Sequence, residues 1–337
     1  MERAPEAGAD VLSEVLRAVR LRGAVFYAVQ ASAPWVAETP SAQELAPYVM
    51  PGAEHVIEYH VVTHGRCWAG PIDKPRVQLE AGDIVVFPQG DAHVVSSASD
   101  MRGAPELELH RRAALGRLPV RVDLGGAGPD KTELVCGFLA CDARPFNPLL
   151  TALPRTLVVR RADSGSYKEM LDYFMAAAVA ESRTPRAGGD AVLARLSELM
   201  FVEVVRQYVS ALEPGRTGWL SGLRDELVGR ALSLLHAKPA HGWTLEGLSR
   251  DVGASRSALA ERFAALVEVP PMQYLAQWRM QLAASMLMGP ATLAQIAGEV
   301  GYGSEAAFSR AFKKIVGVAP AGWRARSKPS PGSGLAT

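Results

Sequence analysis

The chain has 337 residues, of which 48% are hydrophobic and 21% are charged, and its formal net charge is +1. This length is sufficient for two or three domains with hydrophobic cores, and the composition excludes a disordered chain. No apolar run approaches the ~18–20 residues that a membrane-spanning helix needs, and the acidic N-terminus lacks the apolar stretch of a secretory signal. The missing signal and the odd number of cysteines, three, favour a protein of the reducing cytoplasm.

Charge is distributed unevenly along the chain. From Ser221 to the C-terminus there are 13 Lys and Arg against 8 Asp and Glu, a net charge of +5, whereas the preceding part is acidic overall. A basic C-terminal part on an acidic body favours a module that binds a polyanion such as nucleic acid.

The N-terminal part is predicted to begin with a helix and to continue as a β-rich domain. Apolar residues recur at helical spacing in residues 10–21, which predicts a short amphipathic helix. From about residue 22 to 161, short β-rich runs alternate with turns rich in Gly, Pro and Asp, a pattern typical of an antiparallel sandwich or barrel. The runs are AVFYAVQ, VIEYHVV, RVQLEAGDIVVFP, ELELH, ELVCGFL and TLVVR.

Two helices are predicted to follow, over residues 167–180 and 190–212. The second is apolar around most of its circumference, which indicates that it buries two faces. We expect the second face to contact another copy of the chain in a homodimer, with burial inside its own fold as the alternative. Residues 213–218 are predicted to be a linker, and the last residues, 329–337, a disordered tail.

Two C-terminal segments resemble each other, residues 244–266 and residues 292–315. Each is predicted to hold a capped short helix, a glycine turn and a second capped helix. The matched pairs are Thr244 with Thr292, Gly253 with Gly301, and Ser255 with Ser304. This is the plan of a helix-turn-helix, in which the second helix enters the major groove of DNA.

A linking helix is predicted between the two copies, from Pro271 to Met288. Eighteen residues at ~1.5 Å each give roughly 27 Å. Such a helix could hold two recognition helices in successive major grooves, roughly 34 Å apart, if the DNA bends.

Residues 223–326 resemble the AraC family of bacterial transcription regulators. The resemblance is carried by WTLEGLSRDVGASRSALAERF, by YLAQWRM in the linking helix, by IAGEVGYGSEAAFSRAFKK and by the closing GVAPAGWR. It implies double-stranded DNA as the partner, bound in the major groove at two adjacent sites per chain. The residues that we expect at DNA are Ser255, Arg256, Ser257, Arg262, Ser304, Glu305, Ser309, Arg310, Lys313 and Lys314.

The resemblance implies that bases are read from positions 257, 260 and 261 in the first copy, and 305, 306 and 310 in the second. Small or acidic residues at 260, 261 and 306 depart from the long polar or basic side chains often found there. Arg310 fits best, because a guanidinium can bind guanine through two hydrogen bonds. The other basic residues of both copies are expected at phosphates, where they set affinity rather than sequence preference.

The β-rich part resembles a cupin. The run GDIVVFPQGDAH (82–93) resembles the second cupin motif, and residues 134–154 resemble the N-terminal domain of one AraC subgroup. The expected fold is therefore α+β and multidomain, with a cupin-like β-barrel followed by an all-α double helix-turn-helix domain. The expected domains are an effector domain (1–187), a connector with the dimerisation helix (188–220) and a DNA-binding domain (221–328).

The expected barrel contains candidate ligand-binding residues but implies no certain cofactor. Glu58 and His60 share one face of a strand, whereas His55 has the opposite parity, so the three-histidine set of cupin enzymes is absent. We expect Glu58, His60 and His93 to contact an effector. A zinc site of His93, Cys136 and Cys141 is an open alternative that would require a bulge at Gly137, and the same side chains could instead simply fill the barrel.

These features favour a DNA-binding transcription regulator, more an activator than a repressor, controlled by a small-molecule effector in the barrel and acting with RNA polymerase. No enzymatic activity and no membrane contact are expected. Two alternatives stay open at this point. One is a metal-dependent cupin enzyme with an appended DNA-binding domain, and the other is a DNA-binding protein whose barrel only dimerises.

Overall fold

The computed structural model describes residues 10–105, 107–115, 119–161, 168–184, 186–213 and 216–326. These residues form two units. The β unit comprises the described residues of 21–141 and 153–211, and the helical unit comprises those of 1–20, 142–152 and 212–337. The predicted disordered tail, 329–337, lies outside the described residues.

Strands of the β unit form two sheets. One has six strands in the order β10-β6-β3-β9-β1-β8, and the other has four in the order β2-β7-β4-β5. The strands are β1 (Arg22–Ser32), β2 (Val36–Thr39), β3 (His55–His64), β4 (Arg66–Pro71), β5 (Val77–Glu80), β6 (Ile84–Phe87), β7 (His93–Ser96), β8 (Val120–Gly125), β9 (Lys131–Cys141) and β10 (Leu157–Val159). The predicted β-rich cupin fold is confirmed, although its strands form two sheets rather than a single closed barrel.

The central strand of the larger sheet is β9, which pairs antiparallel with both β1 and β3. This pairing brings Tyr27 and His60 to either side of Cys136. All four residues of β6 are buried, and Leu79, Phe87 and Phe138 belong to the hydrophobic core of this unit. The register therefore brings residues that are far apart in sequence together in the middle of the sheet.

The described residues of the β unit include four helices: α2 (Ala42–Val49), α3 (Leu107–Leu115), α5 (Lys168–Arg183) and α6 (Gly189–Ala211). The last two agree with the predicted helices at 167–180 and 190–212. The prediction of ELELH as a β-rich run is wrong, because its described residues, 107–110, begin helix α3. Alternation over a few residues indicates a strand only weakly, and here the following RRAAL sequence extends the segment as a helix.

Helix α6 buries one face and exposes another. Leu193, Phe201 and Val204 are buried, and the Ser197 hydroxyl lies 2.6 Å from the Tyr59 hydroxyl of β3. By contrast, Val192 is 47% exposed and Leu199 is 51% exposed. The β unit thus covers one part of the apolar surface of α6, and another part of that surface is exposed.

The helical unit confirms the predicted repeat. The first copy consists of α9 (Leu245–Asp251) and α10 (Arg256–Val267), and the second of α12 (Leu293–Glu299) and α13 (Glu305–Val316). Helix α11 (Pro271–Leu287) links them, one residue shorter than predicted. The remaining helices are α1 (Val11–Ala18), α4 (Pro148–Ala152), α7 (Trp219–Arg224), α8 (Glu226–Ala237) and α14 (Pro320–Arg326).

Two segments from the N-terminal part of the sequence complete the helical unit. Gln281 of α11 is 1% exposed, and its side-chain amide donates to the carbonyl oxygen of Ala18 (3.1 Å) and accepts from the backbone N–H of Phe146 (3.1 Å). Arg20 binds Asp142 through two hydrogen bonds of 2.6 and 2.7 Å. Helix α1 and residues 142–152 therefore group with the DNA-binding helices. The sequence had predicted both in the effector domain (1–187).

Candidate functional site

The two recognition helices, α10 and α13, begin at the serines that the sequence predicts as caps. The Ser255 hydroxyl accepts the backbone N–H of Ala258, and the Ser304 hydroxyl accepts that of Ala307, each at 3.2 Å. Such caps satisfy backbone donors that have no partner inside the helix. Each recognition helix thus starts at a defined residue, which fixes the side chains that its first turn presents.

The first copy presents a small polar surface. Ser255, Arg256 and Ser257 are exposed at the start of α10, as expected for residues that meet DNA. Arg262 is also exposed, but its guanidinium donates to the Asp225 carboxylate at 2.8 and 2.9 Å. Because Asp225 competes with phosphate for Arg262, the first copy has less free positive charge than its sequence indicates.

The second copy presents a more basic surface. Glu305, Arg310, Lys313 and Lys314 are exposed, and Ser309 is half-buried. Phe308 and Phe312 are fully buried on the other side of α13, where they pack with Trp323 in the core of the second copy. The helix therefore holds its basic face outward by burying an aromatic face.

A cavity of about 290 Å³ lies in the β unit. Its wall combines apolar side chains with a few buried polar ones, the composition that small-molecule sites generally have. It is lined by Tyr27, Val29, Val36, Ala37, Glu38, Thr39, Glu58, His60, Gly103, Ala104, Leu109, His110, Val122, Leu124, Cys136, Gly137 and Phe138. Two of the three predicted effector-binding residues, Glu58 and His60, are thus on the wall of one cavity.

Glu58, His60 and His93 lie together, each with a donor atom within 4.8 Å of the others. The Nε2 atoms of His60 and His93 are 2.7 Å apart, and His93 Nε2 lies 3.7 Å from Glu58 Oε2. His93 Nδ1 lies 2.9 Å from the carbonyl oxygen of Asp91. All three side chains are buried, and Glu58 Oε1 and His60 Nδ1 have no hydrogen-bond partner among the described residues.

Burial disfavours charge at these groups. It raises the pKa of Glu58 well above the ordinary value, and it lowers the pKa of His60 well below it. Burial also lowers the pKa of His93 to about 4. In the absence of a bound ion, both imidazoles are therefore neutral at physiological pH.

The structure does not bring His93, Cys136 and Cys141 together as a zinc set. Strand β9 runs without a bulge at Gly137, because the register shifts lie in β1, at Val25/Tyr27, and in β3. Two residues five positions apart on a regular strand point to opposite faces. All three cysteines are buried and none forms a disulfide, and Cys136 alone of them lines the cavity.

Several polar residues of the cavity were not singled out by the sequence. The Tyr27 hydroxyl lies 2.7 Å from His110 Nδ1, and burial lowers the pKa of His110 to about 4. The Glu38 carboxylate is held by Arg102 through two hydrogen bonds of 2.8 Å. No motif marks these residues, since strand pairing and the position of α3 bring them to the wall.

Comparison with known proteins agrees with both halves of this description. A cupin family model matches residues 10–210, and a helix-turn-helix domain family model matches residues 248–326. An AraC-like transcription regulator of Streptomyces lividans is 34% identical over 81% of this chain and 88% of its own length. One of Streptomyces antibioticus is 31% identical over 95% of this chain and 100% of its own length.

A third relative is the RCS-specific HTH-type transcriptional activator RclR of Escherichia coli, 27% identical over 82% of this chain and 86% of its own length. The similarity to all three relatives extends well beyond the helix-turn-helix region into the cupin part. The chain therefore belongs to the AraC-like transcription regulators with an N-terminal cupin domain, and it is a DNA-binding transcription regulator.

Proposed function

We propose that a small molecule bound in the cavity of the β unit controls how this regulator binds DNA. The observation that carries the proposal is the cavity itself, about 290 Å³ with an apolar wall and a few buried polar groups. Its polar groups fit an effector with an apolar body and a small number of hydrogen-bonding or metal-binding atoms. A ligand that binds the folded chain in only one of two conformations shifts the population towards that one.

A cavity-filling substitution tests this proposal. Val122 and Asp123 are neighbours on β8, where the inward residues alternate with exposed ones, and Val122 lines the cavity. A thermal-shift screen of the full chain should identify compounds that raise its melting temperature. The variant Val122→Trp should lose that response and the effect of the compound on DNA affinity, whereas Asp123→Trp should keep both. A compound that stabilises both variants equally would place its site elsewhere.

We further propose activation of transcription together with RNA polymerase. This rests on the name of the Escherichia coli relative, which is a transcriptional activator. The test is transcription in vitro from a promoter that carries the selected binding site. Activation predicts more transcript when the regulator and effector are added, and a decrease in transcript would show repression instead.

A homodimer through helix α6 is also proposed. Val192 and Leu199 lie on the same side of α6 and are about half exposed, a placement that suits a self-complementary interface. The variant Leu199→Glu should sediment as a monomer at concentrations where the wild type is a dimer. Asp190→Lys, an exposed change on the opposite side of α6, is the matched control. Monomeric wild type, or dimeric Leu199→Glu, would contradict this interface.

The bacterial cytoplasm is the proposed location, because the target is DNA and the named relatives are bacterial. In the described part of the chain, no helix combines the length and apolar character needed to cross a membrane.

An enzyme is the second candidate, favoured only by the potential ligand set of Glu58, His60 and His93 at the cavity wall. Incubation of the metal-loaded chain with any effector found above distinguishes the two functions. Regulation predicts that the effector is recovered unchanged, whereas conversion detected by mass spectrometry would support catalysis.

A further inference from the structure

Two buried polar atoms on the wall of the cavity have no hydrogen-bond partner among the described residues. They are Oε1 of Glu58 and Nδ1 of His60. Both side chains line the cavity, and they come from alternate positions of β3, so they lie on the same side of the sheet. Because an unpaired buried polar atom costs free energy, a ligand that pairs with these two atoms gains the most from hydrogen bonding.

The hydrogen bonds of the two histidines identify His60 Nδ1 as an acceptor. His93 Nδ1 lies 2.9 Å from the Asp91 carbonyl oxygen, which can only accept, so this nitrogen carries the proton of the His93 ring. The Nε2 atom of a neutral His93 is then an acceptor, and Nε2 of His60, 2.7 Å away, donates to it. In a neutral His60 the remaining nitrogen, Nδ1, has a lone pair and requires a donor from the ligand.

The wall also lacks a positive charge that would balance Glu58. In the part of the chain that the structure describes, the lining residues include no Lys or Arg. The other carboxylate of the wall, Glu38, is already held by Arg102 through two hydrogen bonds of 2.8 Å. For Glu58 the nearest ion-pair partner among the described residues is the His93 ring, whose Nε2 is 3.7 Å from Oε2. A buried carboxylate is stabilised by a cation and repels an anion, so this wall favours a cationic ligand.

We propose that the effector is an organic amine, whose protonated amino group is bound by Glu58 and His60. An ammonium group has three N–H donors and a positive charge, whereas a hydroxyl group has one donor and no charge. The ammonium group therefore serves both unpaired acceptors and balances the carboxylate. Its apolar body fits the rest of the wall, which includes Val29, Val122 and Phe138. This inference rests on the proposed function, because it names the chemical class of the effector.

Calorimetric titration of the full chain with a matched series of ligands tests the inference. The series consists of primary amines with butyl, hexyl and octyl chains, together with the alcohols and the carboxylates of the same chain lengths. We expect the best amine to bind ~10–100-fold more tightly than its alcohol, the gain expected from hydrogen bonds to a charged group, and the carboxylates not to bind. This comparison uses the wild type and does not depend on the folding of any variant.

Two variants with the same change in net charge locate the amino group. Glu58→Gln keeps the shape of the side chain and removes its charge, so it should lower the affinity for the amine to that for the alcohol. Glu80→Gln, an exposed change on β5, should retain the preference for the amine. Tighter binding of an alcohol or a carboxylate, failure of every amine to bind, or the full amine preference in well-folded Glu58→Gln would overturn the proposal.

DNA affinity with and without the best amine separates this inference from the proposed function. Amine binding that depends on Glu58 but leaves DNA affinity unchanged would leave the amine site standing and count against the proposed regulation. An alcohol or carboxylate that binds more tightly than the amine, changes DNA affinity and loses both effects in Val122→Trp would overturn the amine and leave the regulation standing.

Discussion

We expect Arg310 to be the main base-reading residue. It is exposed on α13, two residues from the buried Phe308 and Phe312, and it has no ion pair with any described residue. A fixed backbone and a free guanidinium favour two hydrogen bonds to guanine in the major groove. Arg262 in the first copy is by contrast held by Asp225, so the second copy offers more unpaired positive charge to DNA.

The variant Arg310→Ala should lose ~1–3 kcal/mol of binding free energy at a duplex selected by the wild type from a random library, and its preference at one base pair should relax. Arg230→Ala is the control, because Arg230 is exposed on α8, outside both recognition helices. Fluorescence anisotropy at fixed salt measures both variants. Equal affinities for wild type and Arg310→Ala would remove Arg310 from the reading surface.

Lys313 and Lys314, both exposed near the end of α13, are expected to act on phosphates. Replacement of both by Ala should weaken binding to selected and unrelated duplexes alike. Because each phosphate contact adds about 0.9 to the salt dependence of affinity, the slope of log K against log salt should fall by roughly 2. A weaker affinity with an unchanged slope would argue against phosphate contacts.

His236 makes the stability of the helical unit depend on pH. The Tyr274 hydroxyl accepts the Trp219 indole N–H at 2.8 Å and lies 2.8 Å from Nε2 of the buried His236. Burial lowers its pKa to about 3, from 6.5 for the ordinary group. A lowered histidine pKa means that the stability is present above pH 6.5 and is lost as pH falls below it.

The expected loss from His236 is about 1.4 kcal/mol per pH unit below its ordinary pKa. Urea unfolding of the full chain between neutral pH and pH 4 measures it, and His236→Gln should reduce the slope by that amount. Parallel curves for wild type and variant would show that His236 takes up its proton without unfolding.

At the scale of elements, the two helix-turn-helix copies differ in how tightly their turns pack. Gly253 and Gly301 both have positive φ, +73° and +78°. A Cβ on Gly301 would lie 2.5 Å from the Ala240 carbonyl oxygen, whereas a Cβ on Gly253 would meet nothing within 4 Å. The turn of the second copy is therefore packed tightly against the loop between α8 and α9, which contains Ala240.

Alanine substitutions at Gly253 and Gly301 give a prediction in which the first variant is the control for the second. Gly253→Ala should cost about 1–2 kcal/mol of unfolding free energy, because only the left-handed backbone opposes it. Gly301→Ala should cost at least about 1 kcal/mol more, because the backbone must also shift away from Ala240. Urea unfolding of both variants measures the difference, and equal costs would contradict the close packing of this turn.

Elements whose signals are local could be predicted from the sequence. The caps at Thr244, Ser255, Thr292 and Ser304 are all present, since a cap depends on only a few neighbouring residues. The capping box of Ser41 with Glu44 was an equally local signal for α2, and it was overlooked. Residues 107–110 of ELELH are helical, because a short alternation does not outweigh the helix-forming sequence that follows.

The cavity could be predicted only in part. The alternation of Glu58 and His60 on β3 indicated that they share a face, and the structure confirms this. Tyr27 and His110 could not be placed, because their contact depends on strand register and on the packing of a helix 83 residues away. The alternative zinc site with Cys136 and Cys141 required a bulge at Gly137, and β9 passes through Gly137 without one.

At the scale of the whole molecule, the division into units differs from the expected succession of domains. Helix α1 and residues 142–152 group with the DNA-binding helices, whereas α6, predicted as a separate connector, belongs to the β unit. The buried amide of Gln281 joins the two N-terminal segments to α11. Contacts between residues this far apart in the sequence leave no periodic pattern, so this grouping could not be predicted.

The chain passes between the two units after residues 20, 141, 152 and 211. Strands β1 and β9, which carry Tyr27 and Cys136 of the cavity wall, continue directly into Arg20 and Asp142 of the helical unit. Under the proposed function, an effector in the cavity would act on DNA binding through this covalent continuity.

We expect one chain to place two recognition helices, joined by the 17 residues of α11, in successive major grooves of DNA. Hydroxyl-radical footprinting of the full chain on its selected duplex tests this most directly. We predict two protected segments whose centres lie about 10–10.5 base pairs apart, one helical turn of DNA, with the Arg310→Ala variant weakening only one of them. A single protected segment, or protection without sequence preference, would contradict this arrangement of the two recognition helices.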